Sequence, residues 1–449
     1  MTGATLAASL VERGLDPREL ESKAALFDLV LSPFALQRRG GLHAWWVPGR
    51  LEVLGKHTDY AGGRTLVCAV PRGFAVVARP RADGVLHVVD TRRGQNVTRA
   101  ASSPISAPYR GWRHYVDVVA SRLARNFPGA PLGADIVIAS DLPRASGMSS
   151  SSALVIAIAG ALARVGALDR RAEWQENIAG PRDVAGYFAC IENGMSFGSL
   201  SGDSGVGTHG GSEDHAAILT GVPGHLAAFA FVPMRAIAIV PVPERWRFVL
   251  SPCGVPAQKT GAAREAYNRL AEGTQVLLDL WNMDSCAAAP SLGAGLLNSG
   301  NSGDDTARTS PASVDRLRAL VLASTIPGWS RDALEKRLDH FIYEDARIPQ
   351  AVDAFRHADE ERIGRLAEGS QADAETLLGN QIRETSALAR TARELGAFAS
   401  SSFGAGFGGS VWALVEHDRT EAFARRWHAE AFIAPPGPPV VELSATDMA

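Results

Sequence analysis

The pattern of apolar and polar positions changes near residue 44. Upstream of that point, Leu10, Leu15 and Phe27 lie among charged residues at imperfect helical spacing, which predicts a surface helical extension over residues 1–30. Downstream, short apolar runs broken by Gly and Pro extend over residues 44–78. Runs of this kind are typical of strands, so the sequence predicts a β-rich region after the helical extension.

Helix and strand patterns alternate irregularly through the middle of the chain. Residues 113–126 have a helical pattern, residues 134–139 have a strand pattern, and a long apolar helix is predicted after Ser149. The segment 194–211 is dense in Gly and Ser, which supply little helix propensity, so we expect a loop that ends near Asp214.

The second half of the chain is predicted to be mixed α+β. Residues 261–282 form one helical pattern, and further helical patterns occupy residues 314–396 before a glycine cluster and a strand at residues 411–415. Between the helical patterns, residues 286–313 are low in complexity and rich in Ala, Gly, Ser and Asn. We expect this segment to be a flexible insertion.

Composition and charge exclude several classes of function. The 449 residues include 45 basic and 48 acidic side chains without a block of like charge, which disfavours nucleic-acid binding. The longest apolar run ends at Arg164, well short of the roughly 20 residues that a membrane helix needs. The N-terminus lacks a secretory pattern, so a cytoplasmic location is expected. The 4 cysteines lack metal-ligand spacing, which argues against zinc and disulfides.

The first segment with candidate chemistry is residues 48–63. A strand with Gly near both ends precedes His57 and Asp59, and side chains two positions apart in extended backbone can face one small polar ligand. Recognition of hydroxyl groups would suit them, and a hydrogen-bonded turn is the alternative. Five residues separate Gly49 from Gly55, and His57 stands where a Walker A loop needs a hydroxyl, so the segment is not a P-loop.

The second segment, residues 141–154, is a serine-rich loop that leads directly into an apolar helix. Small residues let backbone N–H groups approach phosphate oxygens, and a helix N-terminus supplies about half a positive charge. N-capping by serine, worth about 1 kcal/mol, is the alternative interpretation. One serine is enough for a cap, whereas four follow Met148.

The third segment, residues 400–410, has GxGxxG spacing but precedes a strand. A dinucleotide-binding fingerprint follows a strand and opens a helix, so that interpretation fails. A glycine loop that packs close to another backbone or to a ligand fits better.

Taken together, the three segments resemble, in order, the motifs of the galactokinase, homoserine kinase, mevalonate kinase and phosphomevalonate kinase (GHMP) superfamily, and most closely its galactokinase branch. Lys56 stands where the first motif normally has Glu. In the second motif, usually Pro-x-Gly-x-Gly-Leu-Ser-Ser-Ser, Ala145 replaces the first Gly and Met148 replaces Leu. The resemblance extends over residues 30–449.

The resemblance implies a GHMP kinase fold, in the α+β class, with the active site in a cleft between two domains. We expect an N-terminal domain at residues 31–225 and a C-terminal domain at residues 226–449. The site residues implied by similarity are Trp112, Ser146, Gly147, Met148, Ser149, Ser150 and Ser151 for ATP, Ser151 and Glu192 for Mg²⁺, Lys56, His57, Asp59 and Gly211 for the sugar, and Arg50 and Asp214 for catalysis.

The implied activity is transfer of phosphate from ATP to the anomeric hydroxyl of galactose or a related hexose, in a monomer or homodimer. Residues 210–215 are similar to the stretch that carries the catalytic aspartate. Asp214 would therefore either accept the proton of the sugar hydroxyl or orient that hydroxyl. Arg50 beside it would keep the carboxylate ionised and stabilise the transferred phosphoryl group. An ordinary buried ion pair is the alternative reading of these two residues.

The departures from the family pattern leave the sugar open. Lys56 replaces an acceptor with a cationic donor, so it would pair with an acidic sugar such as galacturonate, or else point to solvent and leave galactose as the substrate. Ala262 stands where the branch has a sugar-contacting tyrosine. A non-catalytic sugar sensor is a further alternative, against which Arg50 and Asp214 argue.

Overall fold

The computed structural model describes residues 2–34, 41–104, 111–143, 146–257, 261–285, 288–297 and 309–443. The α-helices are α1 (Gly3–Glu12), α2 (Leu20–Leu31), α3 (Trp112–Asn126), α4 (Ser150–Val165), α5 (Ala172–Gln175), α6 (Pro181–Asn193), α7 (Glu213–Thr220), α8 (Gly261–Asp284), α9 (Leu292–Leu296), α10 (Pro311–Ala323), α11 (Arg331–Arg356), α12 (Glu360–Asp373), α13 (Arg383–Glu394) and α14 (Thr420–Trp427). The strands are β1 (His43–Leu54), β2 (Arg64–Pro80), β3 (Val85–Asp90), β4 (Gln95–Ala100), β5 (Ala134–Ser140), β6 (His225–Ala230), β7 (Arg235–Pro241), β8 (Trp246–Pro252), β9 (Ala399–Phe403), β10 (Ser410–Glu416), β11 (Phe432–Ile433) and β12 (Val441–Leu443).

The strands form two sheets, which confirms the expected α+β class. The larger sheet has the order β12-β1-β2-β5-β3-β4, and β6 and β7 extend it from the first part of β2. Only β3 and β5 pair in parallel among the described strands of this sheet. The smaller sheet has the order β11-β8-β10-β9 and is antiparallel. None of the helices in the described ranges is long and apolar enough to span a bilayer.

The predicted domain boundary at residue 225 is wrong. This residue begins β6, and β6 and β7 both belong to the larger sheet, which therefore continues to Pro241. The Gly-Val-Pro-Gly run at residues 221–224 forms the tight connection between α7 and β6. Near the other end of the chain, β12 returns to pair with β1, so the last strand also completes the larger sheet.

The N-terminal residues form helices, as predicted, but they are not a surface extension. Leu6, Leu10, Phe27 and Val30 are fully buried and pack with Trp46 on one face of the larger sheet. The opposite face of the sheet is covered by α3 and α4, whose apolar residues join the main hydrophobic core. Both faces are therefore covered, and a sheet face rich in apolar side chains requires such cover.

Part of the predicted flexible insertion at 286–313 is packed. Within it, α9 buries Leu292 and Leu296 against α8, and Ser291 caps the helix by accepting the N–H of Ala294 at 3.2 Å. The prediction of flexibility is wrong for α9, because its apolar residues have a core to join. Residues 286–287 and 298–308 lie outside the described residues.

Candidate active site

The three glycine- or serine-rich segments meet at one place between the two sheets. The N–H of Arg50, in β1, donates to the carbonyl of Met148 in the second segment at 3.3 Å. In the third segment, Gly404 approaches so closely that a Cβ there would lie 2.8 Å from the Gly147 carbonyl oxygen. Gly147 has φ +75°, a left-handed conformation that favours glycine. The expected close approach of the third segment to another backbone is therefore present.

The second segment leads into α4 with an unusual start. Ser149 occupies the N-cap position at φ 56°, and its side chain makes no capping hydrogen bond. A left-handed conformation of a non-glycine residue costs about 1–2 kcal/mol. The serine-capping interpretation therefore fails for Ser149. Because no side chain caps the first turn, its amides can bind an anion.

Asp214 lies at this helix start, beside Arg50. One carboxylate oxygen of Asp214 accepts a hydrogen bond from Arg50 Nε at 2.6 Å, and the other accepts from the Ser152 hydroxyl in the first turn of α4 at 3.1 Å. Arg50 also donates from Nη1 to the Gly147 carbonyl at 2.5 Å. One guanidinium thus ties the acidic side chain to the loop in front of α4. Burial lowers the pKa of Arg50, but its carboxylate neighbours, led by Asp214, outweigh burial and raise it.

Two further carboxyl groups surround Arg50, and the sequence analysis did not identify them. Glu213 Oε1 lies 3.4 Å from Arg50 Nε, and Glu52 Oε2 lies 3.8 Å from Nη2. Burial, followed by the charge of Glu52, raises the pKa of Glu213 well above its usual value, and burial also raises the pKa of Glu52. The two-residue spacing of Arg50 and Glu52 along β1 is the signal that could have revealed the pair.

These side chains line a small polar cavity that contains most of the predicted sugar-binding residues. The cavity is lined by Arg50, Glu52, His57, Asp59, Tyr60, Gly211, Glu213, Asp214, Tyr267, Gly404 and Ala405. Its volume is about 40 Å³. The first and third motifs and the start of α7 therefore contribute to one site, and α8 contributes Tyr267, another residue that the sequence did not reveal. The side chain of Ala262 lies outside the described residues.

His57, Asp59 and Gly211 are held in place by hydrogen bonds and close packing. His57 Nδ1 lies 2.9 Å from the Tyr60 hydroxyl, and Nε2 lies 3.2 Å from the Ala405 carbonyl oxygen. Asp59 accepts the N–H of Glu213 at 3.1 Å, and burial raises the pKa of Asp59. A Cβ at Gly211 would lie 2.1 Å from an Asp59 oxygen, so only glycine fits there.

Lys56 does not face this cavity, so both expectations for it are wrong. Lys56 is 1% exposed, and its ammonium group donates to the hydroxyls of Ser370 at 2.5 Å and Ser401 at 2.9 Å. Glu344 supplies the compensating charge. Its carboxylate accepts the backbone N–H of Lys56 at 3.2 Å and the hydroxyl of Ser370 at 2.8 Å. Burial lowers the pKa of Lys56. Lys56 thus joins the turn after β1 to α11, α12 and β9, and reaches neither a sugar in the cavity nor solvent.

A larger cleft of about 770 Å³ opens on the other side of the second segment. Ser146 lines it together with Gly409 and three arginines, of which Arg72 stacks on Phe432 at 3.6 Å from the ring centroid. Trp112 does not line either cavity; it begins α3 and packs, partly buried, against the main core. The structure thus places Ser146 in the wall of the larger cleft and joins Gly147 by a hydrogen bond to Arg50 of the smaller cavity, but it leaves Trp112 outside both walls.

Ser151 and Glu192, the expected magnesium residues, both lie close to Tyr115. The Ser151 side chain shares a hydrogen bond with Tyr115, whose pKa is raised by burial and by the charge of Glu192. Glu192 Oε2 is buried without a hydrogen bond among the described residues, and His215 Nε2 lies 3.4 Å away. A buried carboxylate oxygen without a hydrogen bond fits a Mg²⁺ ion that takes most of its ligands from phosphates and water. Within the described ranges, no cluster of three acidic, His or Cys side chains forms a protein-only metal site.

Comparison with known proteins places this geometry in a family. A galactokinase galactose-binding signature matches residues 36–80, the GHMP kinase N-terminal domain matches residues 114–192, and the GHMP kinase C-terminal domain matches residues 351–434. A galactokinase of Roseiflexus sp. (strain RS-1) is 26% identical over 86% of this chain and 88% of its own length. A galactokinase of Actinobacillus pleuropneumoniae serotype 3 (strain JL03) is 26% identical over 85% of this chain and 87% of its own length.

Solved structures share the fold. The crystal structure of Lactococcus lactis galactokinase complexed with galactose has a TM-score of 0.73 at 22% identity, covering 93% of this chain and 98% of that one. Methanococcus jannaschii mevalonate kinase has a TM-score of 0.58 at 13% identity, covering 89% and 99%. Models of both GHMP kinase domains match the chain, and the expected GHMP kinase fold is confirmed. The chain is most similar to the galactokinase branch of that superfamily, and it is a sugar kinase that transfers a phosphoryl group to an alcohol.

Proposed function

We propose that this enzyme transfers the terminal phosphate of ATP to the anomeric hydroxyl of galactose or a closely related hexose, releasing a sugar 1-phosphate and ADP. The observation that carries the proposal is the position of the Asp214 carboxylate, which is hydrogen-bonded to both Arg50 and the first turn of α4. A hydroxyl bound at Asp214 would therefore lie next to amides suited to hold a terminal phosphate. The galactokinases similar to this chain support the choice of sugar.

The nucleotide would occupy the larger cleft, with its phosphates at the start of α4. Ser146 lines that cleft, and the next residue, Gly147, accepts a hydrogen bond from Arg50 of the sugar cavity. The uncapped amides of Ser149, Ser150 and Ser151 would hold the phosphate oxygens. Ser151 and Glu192 would hold Mg²⁺, which when bound neutralises charge on the phosphates.

Asp214 and Arg50 would carry the chemistry. Phosphoryl transfer has a loose transition state, so a protein contributes mainly by positioning the reactants and neutralising charge. Asp214 would orient the sugar hydroxyl and take its proton as the new bond forms. Arg50 pairs with this carboxylate at 2.6 Å and would place positive charge beside the transferred group.

The cavity disfavours an acidic sugar. Its walls include the carboxyl groups of Glu52, Asp59, Glu213 and Asp214 against one guanidinium, and Lys56 is directed elsewhere. A galacturonate carboxylate would meet like charges in a buried site, which costs free energy.

ADP release with a panel of sugars tests the proposal. We expect turnover with a hexose of the galactose type, none with galacturonate, and a loss of about 10²-fold or more in kcat for Asp214→Asn. Asp332→Asn, at an exposed position of α11, is the matched control and should keep wild-type kinetics. Binding of ATP and sugar without ADP release would instead identify a sugar sensor and refute the proposal.

A further inference from the structure

Lys23, in α2, is a buried lysine that lines neither cavity. It is 0% exposed, and its ammonium group donates to carboxylate oxygens of Glu19 and Asp141, each at 2.7 Å. The same ammonium lies 5.3 Å from the centroid of the Trp46 ring. A buried charge is unfavourable unless it is paired, and both of its partners are acidic. Lys23 thus joins the N-terminal helices to the second segment, in which Asp141 is the first residue.

Asp141 is fixed at the start of the loop that leads to α4. Its Oδ1 accepts the N–H of Gly73 at 2.7 Å, and its own N–H donates to the Gly73 carbonyl at 3.2 Å. The other oxygen, Oδ2, is the one that Lys23 holds. Further along the loop, the Ser146 hydroxyl donates to the Pro143 carbonyl at 2.9 Å. All three loop residues line the larger cleft, so Lys23 fixes one end of a wall of that cleft.

A carboxylate in this wall is unfavourable for a nucleotide unless its charge is compensated. Phosphates carry several negative charges, and repulsion between like charges is stronger where protein replaces water. Asp141 is 20% exposed, and Lys23 is the cation bonded to it. Arg72 lines the same wall, but its guanidinium stacks on Phe432, and within the described ranges it forms no ion pair with Asp141. The charge that compensates Asp141 directly therefore comes from α2.

Resting on the nucleotide site of the proposed function, we propose that Lys23 is a positioning residue for ATP. Acting through Asp141, it neutralises the wall of the larger cleft and holds the start of the loop before α4, without touching the nucleotide. Loss of its charge should weaken the binding of ATP but not of the sugar, and removal of the Asp141 charge should reverse that effect. A role in folding alone would lower stability and leave the affinity for ATP unchanged.

Steady-state kinetics with ATP and galactose test the role of the charge. Lys23→Gln keeps a donor to Asp141 but no charge, and Lys23→Met removes both. We expect each variant to raise the KM for ATP about tenfold and to change kcat and the KM for galactose less than about twofold. Adding Asp141→Asn to Lys23→Gln should return the KM for ATP to within about threefold of the wild type. Lys336→Gln, in an exposed pair with Asp332, is the matched control and should leave every constant unchanged.

Calorimetric titration with ATP and Mg²⁺, and separately with galactose, supplies a readout that does not require turnover. The Kd for ATP should rise in Lys23→Gln by about the same factor as the KM, and the Kd for galactose should not change. An unchanged Kd for ATP, equal losses for ATP and galactose, or no recovery with Asp141→Asn would overturn this inference alone. Absence of ADP release with every sugar would overturn the proposed function, whereas a higher Kd for ATP in the same Lys23→Gln protein would still support this inference.

Discussion

Replacing Lys56 by methionine separates a structural role from a role in sugar recognition. The lysine is 1% exposed, and its ammonium is held by Ser370 and Ser401. Methionine preserves much of the apolar stem but removes the charge next to Glu344, whose pKa is lowered against burial by Lys56 and Arg347. Removing one partner of a buried charged pair costs about 3–5 kcal/mol. Arg347 remains 2.8 Å from Glu344, so we expect about 3 kcal/mol.

The assay is equilibrium denaturation followed by fluorescence of the 9 tryptophans. Lys336→Met is the matched control, because Lys336 is half-exposed and forms a single surface pair with Asp332 at 2.8 Å. That change should cost less than about 1 kcal/mol. The preference for galactose over galacturonate should be the same in Lys56→Met and the wild type. A stability equal to that of the control, or a shift in sugar preference, would refute the structural role of Lys56.

Three further predictions concern the pH dependence, the phosphate loop and the N-terminal helices. The pKa of Glu213 is raised in the folded state, so its contribution to stability is present below about pH 4.5 and is lost as pH rises through the folded value. The free energy of unfolding of Glu213→Gln and of the wild type is measured by denaturation at about pH 5 and about pH 8, and the variant should gain stability relative to the wild type at the higher pH. The same difference between the two proteins at both pH values would contradict the burial of this acid. Gly147→Ala forces alanine into φ +75° with its Cβ 3.2 Å from the Phe403 carbonyl oxygen. The substitution should therefore lower the free energy of unfolding by about 1–2 kcal/mol and raise the KM for ATP. An unaltered KM would count against a phosphate site. Phe27→Ala should lower the free energy of unfolding by about 3–5 kcal/mol, because Phe27 is fully buried. A loss below about 1 kcal/mol would mean that the packing of α2 on the sheet contributes little to stability.

Much of the candidate site could be predicted because its parts depend on local chemistry. A run of serines before an apolar segment predicts an anion site at a helix start, and α4 begins at Ser150. Glycine clusters predict close approach, and Gly404 contacts the Gly147 backbone. The patterns for α3, α8 and β5 depend on periodicity alone and agree with the structure within a few residues.

What the sequence could not provide was the direction of side chains where strand alternation ends. Gly55 at φ +108° and His57 at φ +57° form a turn, and Lys56 between them points into the protein. The two-residue rule that aligned His57 with Asp59 gives no guidance at such a turn. Likewise, Glu52 and Glu213 are far apart in sequence, and only the fold brings both to Arg50.

The predictions of a surface extension at the N-terminus and of a domain boundary at residue 225 failed for a related reason. Each helix shows an apolar face only to the sheet beneath it, so charged residues on the other face suggested a surface extension. The sheet's continuation through β6 and β7 depends on long-range pairing with β2, which local composition does not encode.

The central claim is that Asp214, held at the start of α4 by Arg50 and Ser152, directs an anomeric hydroxyl to the terminal phosphate of ATP. Phosphorus NMR of the products formed from ATP and a hexose tests it directly. We predict a new sugar phosphate whose phosphorus couples to the anomeric proton, formed by the wild type and not detectably by Asp214→Asn over the same time. A phosphate on any other hydroxyl, or an undiminished signal in the Asp214→Asn protein, would contradict the account.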